Sequence, residues 1–79
     1  MCTTTIIYGD PGKRDPYIIK RVKLDGDIYY EVYRNDASVK WRYRWIADAS
    51  TFDAAQRRMQ EDHEMQIRLT EARQGGLDA

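Results

Sequence analysis

The sequence predicts an α+β fold, a three- to four-stranded antiparallel meander packed on one face by a long C-terminal helix. Three observations carry this expectation. From Tyr17 to Ile46 apolar and polar residues alternate with a period of two, the signature of half-buried strands. The alternation is interrupted by Asp25-Gly26 and by Asn35-Asp36-Ala37-Ser38, both turn formers. After Asp48 apolar residues recur every three or four positions, and no helix breaker intervenes before Gly75-Gly76.

The first element is a short edge strand over 3–8, where Thr3, Thr4, Thr5, Ile6 and Ile7 are β-branched and favour extended backbone. Gly9-Asp10-Pro11-Gly12 makes a turn, because proline presets φ and glycine admits positive φ. The second strand, 17–24, places Ile18, Val22 and Leu24 on one face and Ile19, Arg21 and Lys23 on the other. Asp25-Gly26 closes a hairpin whose two central residues need positive φ. The third strand, 27–34, separates Ile28, Tyr30 and Val32 from Tyr29, Glu31 and Tyr33. A fourth, 39–46, separates Val39, Trp41, Tyr43 and Trp45 from Lys40, Arg42, Arg44 and Ile46.

Ser50-Thr51-Phe52-Asp53 reads as a helix start, with Ser50 or Thr51 accepting the first free N–H groups and Asp53 favoured by the helix dipole. The helix is expected over about 51–73, with a tail at 74–79. At 1.5 Å per residue it reaches about 35 Å, whereas an eight-residue strand spans only about 27 Å. The helix is therefore expected to outrun the sheet. Phe52, Ala55, Met59, His63 and Ile67 share one of its faces, while Met65, Leu69 and Ala72 lie nearly opposite. One surface cannot bury both sets, so the helix either breaks near His63 or meets a second surface with its distal half. Arg57/Glu61, Arg58/Asp62 and Glu64/Arg68 are spaced as solvated i,i+4 pairs.

With 79 residues, the chain is expected to form a single domain over 1–79 around one modest core. Apolar residues at 42% and nine aromatics suffice for folding and argue against disorder. The formal charge is zero, which excludes the overall basic excess of a general nucleic-acid binder. Its distribution is uneven: residues 1–46 carry nine Lys/Arg against six acids and residues 47–79 four against seven, a basic front of +3 and an acidic tail of −3. The single cysteine, Cys2, excludes an internal disulfide. The chain does not open on a basic run followed by an apolar one, and no window approaches about 18 apolar residues, so the expectation is a cytoplasmic protein without membrane contact.

Trp41, Tyr43 and Trp45 have two readings, the sheet face packed under Phe52, Ala55 and Met59, or an open platform on which bases stack. The opposite face is expected to bring together Arg21, Lys23, Tyr29, Tyr33, Lys40, Arg42 and Arg44. Such a mix of basic and tyrosine side chains grips a phosphate backbone or an acidic protein surface, and it is the candidate partner-binding site. Glu61 and Glu64, with Met65 and Leu69, form a candidate second interface on the distal helix for a basic partner or another copy of the chain. His63 stands without a second histidine or clustered cysteines, so no metal, cofactor or catalytic residue is assigned.

The Asp25-Gly26-Asp27-Ile28-Tyr29-Tyr30 hairpin, the basic aromatic strand after it and the Ser50-Thr51-Phe52-Asp53-Ala54-Ala55 helix start resemble the small strand–strand–strand–helix domains common in phages and mobile elements. Among these are the arm-binding domains of tyrosine recombinases and short stand-alone phage proteins such as anti-CRISPRs. The resemblance covers about residues 17–60. It implies a non-enzymatic phage-encoded inhibitor acting stoichiometrically on a host protein or ribonucleoprotein complex that handles nucleic acid. The alternative reading is a small DNA- or RNA-binding protein using the basic, tyrosine-containing sheet face.

Overall fold

The computed structural model describes residues 2–77, with side chains to residue 72. Four strands, β1 (Cys2–Tyr8), β2 (Tyr17–Leu24), β3 (Asp27–Asn35) and β4 (Tyr43–Ala49), form one antiparallel sheet in the order β1-β2-β3-β4. A single helix, α1 (Phe52–Leu77), follows. The expected α+β meander is the fold of the molecule.

Local chemistry accounts for each junction. Asp10 caps a single 3-10 turn (Pro11–Lys13) by accepting from the Gly12 amide at 2.8 Å. Gly9 has φ +80°, and a Cβ there would fall 2.2 Å from the Tyr17 carbonyl oxygen, so only glycine fits where the loop crosses the start of β2. Asp25 and Gly26 both have positive φ, as the two-residue hairpin requires. Thr51 Oγ1 accepts from the Ala54 amide at 3.1 Å and caps α1.

The second connection differs from expectation. Asp36 accepts from both the amide and the hydroxyl of Ser38, and bonds from Asp36 N to Arg42 O and from Arg42 N to Val39 O close the loop over residues 36–42. The expected four-residue turn is thus a seven-residue loop ending on Arg42, whose φ is +65°. The last strand begins at Tyr43 rather than Val39, and Trp41 is a loop residue 79% exposed to solvent.

The helix packs on the face of the sheet that carries Ile19 and Val32. These two and Ala55 are completely buried, with Tyr30, Ile46, Ala49, Phe52 and Met59 around them. Ala55 has no side chain beyond Cβ, which lets the helix backbone approach the strands. Past His63 the helix continues unbroken to Leu77. It passes through Gly75-Gly76, where each glycine disfavours a helix by about 1 kcal/mol without forbidding it. The expected tail is therefore helical to Leu77, and 78–79 lie outside the described residues. The projecting helix makes the molecule long, 54 Å on its major axis against 24 and 16 Å on the others. No helix among the described residues is long and apolar enough to cross a membrane.

A candidate interaction surface on the open sheet face

The strand register decides which side chains share a face. Val22 lies opposite Tyr29, Lys20 opposite Glu31 and Ile18 opposite Tyr33. In an antiparallel sheet directly paired residues point the same way, so these six face away from the helix, and Ile19, Val32, Tyr30 and Arg34 face toward it. Across the next ladder Tyr33 pairs with Trp45, Asn35 with Tyr43 and Glu31 with Asp48. The open face thus carries Tyr29, Tyr33, Tyr43 and Trp45 in neighbouring rows of β3 and β4.

Of the two readings of Trp41, Tyr43 and Trp45, the one that packs them beneath the helix is overturned. Trp45 is 53% exposed on the uncovered face. The physical reason is a one-residue bulge: the β3–β4 register shifts between Val32 and Tyr33, where β4 inserts Ile46. An extra residue reverses the alternation, so Ile46, Ala47 and Ala49 cover the core while Tyr43 and Trp45, before the bulge, point outward.

The same register divides the expected basic site. Tyr29 and Tyr33 are on the open face. Arg21 and Lys23 pair with Tyr30 and Ile28 on the helix side, and Arg44 pairs with Arg34 there, donating from Nε to Asp36 Oδ2 at 2.8 Å. Lys40 and Arg42 are in the 36–42 loop, with Lys40 Nζ 5.4 Å from the Trp41 ring centroid. The seven residues do not form one patch, because a strand's alternation continues across a sheet only as the register allows. Of the second candidate set, Glu61, Glu64, Met65 and Leu69 are all exposed on the helix, and Arg58 pairs with Glu61 at 3.7 Å.

The open face is firm beneath its aromatic surface. Ile18 and Val22 are each only 2% exposed. Tyr33 donates its hydroxyl to Glu31 Oε1 at 3.0 Å, and Trp45 donates Nε1–H to Asp48 Oδ1 at 2.7 Å. The Tyr43 hydroxyl donates to the Asp15 carbonyl at 2.6 Å, tying β4 to the loop before β2. Burial, reinforced by the bond to Glu31 and that carboxylate's charge, pushes the Tyr33 phenol up to about 12. Tyr29 is raised too, first by desolvation and then by the charge of Glu31. Lys20 holds its ammonium 4.6 Å from the Tyr33 ring centroid. Among the described strand residues, this face carries Lys20 against Asp27, Glu31 and Asp48, whereas Arg21, Lys23, Arg34 and Arg44 face the helix side.

No protein-family model, no curated protein and no solved structure matches this chain.

Two features of the helix side were not legible from spacing. Asp62, expected in a solvated pair with Arg58, receives Arg34 Nη1 at 2.7 and 3.0 Å and the Tyr17 hydroxyl at 2.6 Å. This latch fastens the end of the packed part of α1 to β2 and β3. Desolvation and the bond to Asp62 raise the Tyr17 phenol well above its ordinary value. Next to it a cleft of about 520 Å³ opens between Tyr8, Tyr17, Met59 and His63, with His63 standing edge-on to the Tyr17 ring at 6.2 Å. Among the described residues no three His, Cys, Asp or Glu side chains are grouped to hold a metal. The missed aromatic face did leave one trace in the sequence: adjacent apolar Ile46 and Ala47, followed by Asp48-Ala49, break the alternation where the bulge lies.

Proposed function

We propose that this chain is a non-enzymatic protein-binding module that docks its partner on the open sheet face. Following the resemblance to short stand-alone phage proteins, it acts stoichiometrically, as a phage-encoded inhibitor of a host complex that handles nucleic acid. The observation that carries the docking reading is the uncovered row of Tyr29, Tyr33, Tyr43 and Trp45 over buried Ile18 and Val22. Aromatic side chains held by hydrogen bonds lose little freedom on binding, and they are enriched where protein interfaces draw most of their affinity.

Charge favours a protein over a nucleic acid on this surface. A phosphate backbone requires several cations beside the stacking rings. Here the rings are accompanied by carboxylates, and most of the strand cations are on the helix side.

The test is affinity capture from a host lysate with mass spectrometry, run for the parent chain, for Tyr29→Ala/Trp45→Ala and for Arg42→Glu/Arg44→Glu. A stoichiometric complex lost in the first variant and kept in the second is expected, with both variants folded by circular dichroism. Capture that survives removal of both aromatic residues would overturn the proposal.

A further inference from the structure

The geometry points to the chemistry of the partner: the open face takes a protein segment bearing an arginine or lysine, whose cation seats against Tyr29 and Trp45 at the carboxylate of Asp48. This rests on the docking reading above and specifies what docks.

Three independent features converge on that position. The first is charge. Glu31 and Asp48 are directly opposite one another across β3 and β4, an arrangement that is repulsive by itself, and neither forms an ion pair with a cation among the described residues. A cation from outside relieves that repulsion.

The second is a hollow beside the Tyr29 ring. Tyr29, Asp48, Ala49 and Ser50 line a shallow hollow at the end of the aromatic row. Asp48 spends Oδ1 on the Trp45 indole at 2.7 Å, and Oδ2 accepts from no donor among the described residues. That bond also holds the indole in place, so its exposed surface is set before a ligand arrives.

The third is a precedent within the face itself. Lys20, although opposite Glu31, places its ammonium over the Tyr33 ring at 4.6 Å. Tyr33 is thus already covered by a cation of this chain, and Tyr29, beside Asp48, offers the same combination of ring and carboxylate without one among the described residues. Arginine suits it well, because a planar guanidinium can stack on a ring while donating sideways to a carboxylate.

The experiment is an NMR titration of the full chain with the peptide acetyl-Leu-Arg-Leu-Arg-Leu-amide. Its controls are the same peptide with citrulline or glutamate for arginine, and oligothymidylate. The arginine peptide is expected to shift the Trp45 indole N–H and the Tyr29 ring signals, with weak affinity that declines as salt rises. Asp48→Asn keeps the acceptor for the indole and removes the charge, and should weaken binding about tenfold. The citrulline and glutamate peptides should bind less than the arginine peptide by at least that factor. No shift with the arginine peptide, equal binding by the citrulline peptide, or an unchanged affinity in a folded Asp48→Asn chain would each overturn the inference. Shifts produced by oligothymidylate alone would replace it with a nucleic-acid site. If the peptide fails while Tyr29→Ala/Trp45→Ala still abolishes partner capture, the docking reading stands and only the cation chemistry falls.

Discussion

Removing the Asp62 carboxylate should weaken the fold more than any other single change at a charged residue. Asp62→Ala leaves the Arg34 guanidinium and the hydroxyl of Tyr17, a buried residue, without the acceptor they share at 2.6–3.0 Å. A hydrogen bond to a charged group contributes about 1.5–3 kcal/mol, and breaking a fully buried pair costs about 3–5 kcal/mol. The Arg34 and Asp62 side chains retain 24% and 16% of their exposure, so water partly compensates the stranded groups. The expected loss is about 2–3 kcal/mol, from a total near 4–12 kcal/mol for a domain this small. Since 1 kcal/mol moves the midpoint of such a domain by about 4–8 °C, Tm should fall by about 10–20 °C. Urea unfolding followed by circular dichroism measures the loss directly. Arg58→Ala is the control, because its partner Glu61 is 3.7 Å away with both side chains exposed, and it should cost less than about 0.5 kcal/mol. Arg34→Met combined with Asp62→Leu should recover part of the single-variant loss, since no charge is then stranded. Stability of Asp62→Ala within about 0.5 kcal/mol of the parent chain would refute the latch.

Four further outcomes follow from the same structure. Tyrosinate absorbance should show Tyr33 holding its proton to about 12 against an ordinary value of 10, and Tyr33→Phe should remove that late step. The stability contributed by this shift is intact below pH 10 and is lost as pH rises through about 12, because the unfolded phenol ionises first. Gly9→Ala should destabilise by more than about 1 kcal/mol in urea unfolding, since its Cβ meets the Tyr17 carbonyl and φ is positive. Arg42→Gly should be stabilising by about 0.5 kcal/mol in the same measurement, because a non-glycine residue at φ +65° is strained. Met65→Ser/Leu69→Ser should leave the unfolding free energy within about 0.5 kcal/mol of the parent, both side chains being exposed on the distal helix.

How much was legible in advance differs by level. The alternation, the Asp25-Gly26 turn and the Thr51 cap report on neighbours a few residues apart, and each element they announce is present. The overhang was legible too, because helix rise and strand rise are constants. The candidate site was legible only in part. Period-two alternation puts Tyr29 and Tyr33 on the face away from the helix, as observed, but it leaves Trp45 between two readings and puts Arg21, Lys23 and Arg44 on the open side. The 36–42 loop and the bulge at Ile46 account for Trp45 and Arg44, whereas Arg21 and Lys23 follow the β2–β3 register, which pairs them with Tyr30 and Ile28 instead of placing them beside Tyr29 and Tyr33.

By itself, then, the sequence determined that there would be strands of about these lengths, a meander order and a helix too long for its sheet, because these depend on local backbone chemistry. It also divided each strand into two sets of side chains. Which set became the inside was left to tertiary structure: a period of two is symmetric between faces, and only the seat of Ala55 on Ile19 and Val32 breaks that symmetry. The partnership of Asp62 with Arg34 and Tyr17, 28 and 45 residues away in sequence, was decided at the same step. Pairings at that distance exist only once the helix has chosen its face.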